Sequence, residues 1–142
     1  MSEANEILAI ARDWVQKGEN DLKNAIHTVG MRKDCPTDTV CFHAQQCVEK
    51  YSKAFLVLKR IDFPKTHDIK ELIALLPSDA RPKMTPEEQR RLTDYATVTR
   101  YPGDYEPIPF VETRRAVALA RRVRKELRKY LPPAIFRKGG KS

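Results

Sequence analysis

Long apolar runs are missing from this sequence, and none approaches the ~20 residues that a membrane-spanning helix needs, so no membrane span is expected. Cysteine is scarce: Cys35, Cys41 and Cys47 are odd in number and spaced by six. That fits neither a disulfide framework nor the paired spacing of a zinc site. His43 and Cys47 stand four apart, but they are two ligands without a second pair. No metal and no cofactor is therefore expected. The opening stretch MSEANEILAI has no basic region, apolar core or small-residue cleavage site of a secretory signal. A reducing, cytoplasmic setting is the expectation. Period-two alternation and internal repeats are absent as well, which leaves helix as the element to look for.

Acidic residues run out toward the end of the chain. Up to Phe110, 16 Lys and Arg face 17 Asp and Glu; from Val111 to Ser142, 11 face 2. The whole net charge of +8 thus comes from the last 32 residues. An excess so localised points to an anionic partner.

What the chain has is helical periodicity. From Thr39 to Leu58, Val40, Ala44, Cys47, Val48, Tyr51, Ala54, Phe55 and Leu58 recur in steps of three and four, which line one face of a helix. Twenty residues at ~1.5 Å each make a rod of about 30 Å, the central helix of the fold. An earlier helix is expected over Glu3–Val29, with Ile7, Ala11, Trp14, Val15, Leu22, Ala25, Ile26 and Val29 inward and Gly30 as its stop. Gly18 marks a place where a neighbouring backbone approaches. A short helix is expected from Thr66, its cap, to Leu76. Thr85 and Glu88 form a capping box with Pro86 at the first helical position, and the helix they open ends at Tyr101. The last helix runs from Phe110 to Tyr130, with Val117, Ala120, Val123, Leu127, Tyr130 and Leu131 as its apolar stripe. The result is an all-α protein, an up-and-down antiparallel bundle of four to five helices. One domain covers residues 1–133, and 134–142 are expected as a loose basic tail.

Three motifs follow one another: CFHAQQCVEKYSKAFLV in the central helix, THDIKELI, and TRYPGDYEP before an Ala- and Arg-rich last helix. In this order, over Glu6 to Leu131, the chain resembles the HEPN family, the nucleotide-binding domains of higher eukaryotes and prokaryotes. The resemblance implies a helical bundle that forms a homodimer. It also implies a role beside a small nucleotidyltransferase-type partner protein, often in a toxin–antitoxin or other defence system. Many members are metal-independent endoribonucleases, with an Arg, usually a polar residue, then a His four to six residues on, all on the last helix. This chain departs from that pattern, because its histidines are His27, His43 and His67. Arg60 and His67 match the count, but Pro64 between them breaks the helix that the motif needs.

Cleavage without that pair needs a substitute base for the ribose 2′-OH and a substitute acid for the leaving oxygen. Nucleotide or RNA binding is therefore the leading expectation. An endoribonuclease toxin with a non-standard site and a non-catalytic interaction module are the alternatives. The candidate binding residues are Arg100, Tyr101, Asp104 and Tyr105 on a proline-stiffened corner, with His43, Lys50, Lys53 and His67 nearby and Arg121 and Arg124 on the last helix. A guanidinium grips phosphate with two parallel hydrogen bonds, and a tyrosine ring stacks on a base. Against this stand bland readings: Arg100 locking its own loop through Asp104, His43 as a buried hydrogen-bonded side chain, His67 as a helix-start contact, and the lysines and arginines as solvated faces.

Overall fold

The computed structural model describes residues 2–97 and 106–137. Among the described residues it contains helices and short turns and no strand: α1 (Glu3–Val29), α2 (Thr37–Leu58), α3 (Ile69–Leu75), α4 (Pro86–Thr97) and α5 (Phe110–Arg128). Three-residue 3-10 turns sit at Arg32–Asp34 and Ser78–Ala80, and a four-residue one at Pro133–Phe136.

α2 is the axis. Fourteen of its 22 residues are buried, and it packs against α1, α5, α4 and α3. Cross-contacts fix the directions. Glu3 meets Arg60 and Asp21 meets Lys50, so α1 and α2 are antiparallel. Glu19 meets Arg124 while Arg12 meets Ala134, so α5 also runs against α1. Tyr51, Phe55, Leu56, Ile69, Leu72, Leu76, Leu92 and Leu127 are all but sealed from water. Each such side chain stabilises the fold by roughly 1.5–3 kcal/mol.

Helix ends are set by local chemistry. Ser2 Oγ accepts from the Asn5 N–H at 3.1 Å and caps α1. Thr85 and Glu88 form the expected reciprocal box, at 2.9 and 3.0 Å. α2 stops before Pro64 is reached. Ile61 N–H bonds Leu56 C=O at 2.9 Å and Arg60 N–H bonds Val57 C=O at 3.0 Å, with Arg60 at φ 57. That paired motif satisfies the last carbonyls and turns the chain, usually at glycine.

Several expectations shift. α3 begins at Ile69, because Asp68 rather than Thr66 accepts from a first-turn amide, that of Glu71 at 3.3 Å. Thr66 Oγ1 instead accepts from Asp68 N–H, which places His67 before the helix. Gly30 caps α1 in a right-handed conformation at φ −64, and the left-handed residue of that turn is Arg32. Gly18 admits a side chain, not a backbone: a Cβ there would lie 3.2 Å from the Tyr51 ring. Tyr130 lies outside α5 and is 46% exposed, and its hydroxyl donates to Asp79 C=O. Residues 134–136, expected within a loose tail, form the last 3-10 turn, and Ile135 is buried in the main core.

Candidate nucleic-acid interface

Three sets of charged side chains concentrate on the bundle, and they differ in how completely each is neutralised. The first runs along α2. Glu49 is buried and accepts from Lys53 Nζ and His67 Nδ1, both at 2.8 Å, and from Gln45 Nε2 at 3.0 Å. Lys53 is buried as well, its ammonium 5.3 Å from the Trp14 ring centroid and 5.9 Å from that of Phe63. Burial pushes the Glu49 carboxyl pKa up, but the hydrogen bonds from Lys53, Gln45 and His67 outweigh it and hold it below the usual value. A charge removed from water is tolerated when its lone pairs are filled in this way.

The second set lies between α1 and α2. Asp21, buried, accepts from His43 Nδ1 at 2.7 Å and Lys50 Nζ at 2.6 Å. His43 also meets Phe42 edge-on, ring centroids 5.6 Å apart.

The third is a groove between α1 and α5. On α5, positions 121, 124, 125 and 128 fall on one face by the three-four rule; on α1, positions 12, 16, 19, 23 and 26 do the same. Glu19, Leu22, Lys23 and Ile26 form one wall and Arg121, Arg122, Arg124 and Lys125 the other, around a volume of ≈ 670 Å³. Its single acid is already occupied. Glu19 accepts from Arg124 Nε and Nη2 at 2.5 and 2.8 Å and from the Tyr51 hydroxyl at 2.5 Å. Burial raises the Glu19 pKa, and these partners together with Arg128 more than reverse that. Burial, then Glu19, pushes the Tyr51 hydroxyl up, so it stays a donor. Arg122 donates to the Lys83 carbonyl and pairs with Glu126. Lys23, Arg121 and Lys125 have no ion-pair partner among the described residues.

A smaller cleft of ≈ 280 Å³ between α4 and α5 mixes signs, Glu87, Glu88 and Glu112 against Arg91 and Arg115. Among the described residues no group of three His, Cys, Asp or Glu is placed to hold a metal.

Of the residues singled out from sequence, Arg121 and Arg124 share the groove, with Arg121 lacking an ion-pair partner among the described residues and Arg124 held by Glu19. His67 and Lys53 meet on Glu49, and His43 and Lys50 meet on Asp21; none of these four lines the groove. Arg100, Tyr101, Asp104 and Tyr105 lie outside the described residues. The sequence reading missed Glu19, Lys23 and Lys125. The signal for Glu19 and Lys23 was their four-residue spacing on α1, beside the apolar stripe.

The sequence matches the HEPN domain family over residues 11–130. The chain belongs to the HEPN family. Two solved structures share its fold. TT1696 from Thermus thermophilus is 28% identical, with a TM-score of 0.67 over 85% of this chain and 98% of that one. ST0689, an archaeal HEPN homologue, is 24% identical, with a TM-score of 0.66 over 84% of this chain and 96% of that one. No curated protein matches the chain. As a HEPN protein it lacks the family's Arg–His signature, since α5 holds no histidine. Nor does a helix carry Arg60 and His67 together: Arg60 follows α2 and His67 precedes α3. No described helix is long and apolar enough to cross a membrane.

Proposed function

We propose that this HEPN protein binds RNA or a nucleotide through phosphate groups seated in the α1–α5 groove. The observation that supports it most is the excess of unpaired cations there: Lys23, Arg121 and Lys125 face a volume whose one carboxylate is already held by Arg124. Arg124, oriented by Glu19, keeps its remaining donors for a phosphate oxygen. Binding ranks ahead of cleavage because α5 offers no imidazole to take or give a proton. Arg100 and Tyr101 enter this proposal on sequence grounds, as a second anchor where the chain leads into α5. From the family resemblance the proposal also takes a homodimer and a nucleotidyltransferase-type partner, as in toxin–antitoxin pairs. Light scattering and co-purification test those two points.

Fluorescence anisotropy with short RNAs and ATP tests the groove itself. Neutralising three phosphates predicts a log–log salt slope of about −2 for a single strand, or roughly 20-fold weaker binding at 200 mM than at 50 mM salt. The double variant Arg121→Ala/Lys125→Ala weakens binding and flattens the slope by about 1–1.5. Binding that ignores both salt and the double variant overturns the proposal.

A further inference from the structure

We infer that the groove takes a single-stranded RNA segment of about four to six nucleotides, with one base seated on Phe136. This rests on the groove reading above and deepens it. A second hollow of ≈ 310 Å³ continues past Glu19 and Lys23, which line both volumes, to Arg128, Phe136 and Arg137. The two together follow α1 from Arg12 to Ile26, about 21 Å at ~1.5 Å per residue. At ~3.4 Å per stacked nucleotide of one strand, that length holds about six, and fewer when the strand is stretched. A free mononucleotide fills only part of it.

The walls and floor differ in kind. Lys23, Arg121, Lys125 and Arg137 stand on the rim without an ion-pair partner among the described residues, while Ile26 is the exposed apolar side chain between them, over the nearly sealed Val15, Leu22 and Ile135. Cations for phosphates beside apolar surface for bases is the arrangement that holds unpaired strands. Phe136 closes one end. The Arg128 guanidinium carbon sits 3.8 Å from its ring centroid, and Phe136, which lines the hollow, remains 37% exposed as a residue. The turn that carries it is tied to α1, because Arg12 Nη2 donates to the Ala134 carbonyl at 2.9 Å and Ile135 is buried. Arg12 also has a buried Nε with no hydrogen-bond partner among the described residues, so this end of the groove retains unsatisfied donor capacity. A ring fixed in this way offers a stacking platform that a duplex, whose bases face each other, cannot use.

The test is anisotropy with an RNA hexamer, an abasic hexamer of the same backbone, an RNA hairpin, AMP and polyglutamate. The hexamer is expected to bind at least 30-fold more tightly than AMP and to outcompete the hairpin and polyglutamate. Phe136→Ala weakens hexamer binding about 5- to 150-fold, the range of one lost stacking contact. Because that variant also removes a cover from Arg128, the abasic hexamer supplies the readout that a loosened fold would not mimic. The penalty appears with the based hexamer and vanishes with the abasic one. Phe136→Tyr restores hexamer binding. Equal affinity for AMP and hexamer, preference for the hairpin or polyglutamate, or the same Phe136→Ala penalty with both hexamers overturns the inference. In those cases sensitivity to Arg121→Ala/Lys125→Ala still supports the groove reading. Insensitivity to that double variant removes the groove reading with it.

Discussion

The cluster around Glu49 and the groove around Glu19 use the same residue types to opposite ends. Around Glu49 every charge is matched: Lys53 and His67 close on the carboxylate, Gln45 fills in, and the acid and the lysine are sealed from water. Around Glu19 the match is incomplete. One carboxylate faces Arg124 and Arg128, and three further cations stand by without an ion-pair partner among the described residues. On the reading proposed above, the difference separates charge that builds the bundle from charge left over for a ligand. Buried ionic groups survive only when complete, because an unpaired partner there carries the full desolvation penalty. Exposed cations tolerate solitude in water, so an excess of them costs the fold little and is available to an anionic partner.

The largest expected break of this contrast is Glu49→Gln. It leaves the buried Lys53 ammonium without its counter-charge, and chemical denaturation should show a loss of about 3–5 kcal/mol. RNA affinity of the fraction that stays folded should not change.

A pH titration of the native chain comes next. The Glu49 and Glu19 pKa values are held below their usual 4.5. The unfolded chain therefore binds more protons than the native one from there down to the native values, and stability falls as the pH falls through that window. Above pH 4.5 the contribution of both groups is fully present. Melting curves between pH 3 and 6 check this, and Glu49→Gln and Glu19→Gln should each flatten the acid limb.

Glu19→Gln sharpens the contrast by moving two readouts in opposite directions. Loss of a partly exposed acceptor for Arg124 and Tyr51 should cost about 1–2 kcal/mol of stability. Removing the only negative charge among the groove's described lining residues should tighten RNA binding several-fold. A drop in both would mean that Arg124 orientation outweighs net charge. Smallest of all is the stability effect of Arg121→Ala, less than about 0.5 kcal/mol by denaturation, since this exposed side chain has no ion-pair partner among the described residues.

Local signals in the sequence travelled well into the structure. The bounds of α1, the start of α5 and the Thr85–Glu88 box rest on spacing and caps that neighbours do not override. Readings that depend on the far side of the fold did not. Periodicity assigns one apolar face to α2, but helices pack on most sides of it, so Lys53 became an interior side chain. Ile26 keeps the α1 rhythm yet is 39% exposed, because α5 stands off there to leave the groove. The α5 arginines were legible as a basic face. Their division into held and free was not, because Glu19, which decides it, lies 105 positions from Arg124. Arg60 in a left-handed turn has no sequence signal, since glycine is the usual occupant.

The tie between Arg12 and the Ala134 carbonyl has a practical outcome at the bench. It brings the polypeptide out at Arg137, at the lip of the groove, whereas Glu3 sits against Arg60, beyond the end of α2. A fluorophore on a cysteine introduced at Arg137 would therefore report on the surface under test, and one introduced at Glu3 would sit by Arg60, outside the residues that line the groove.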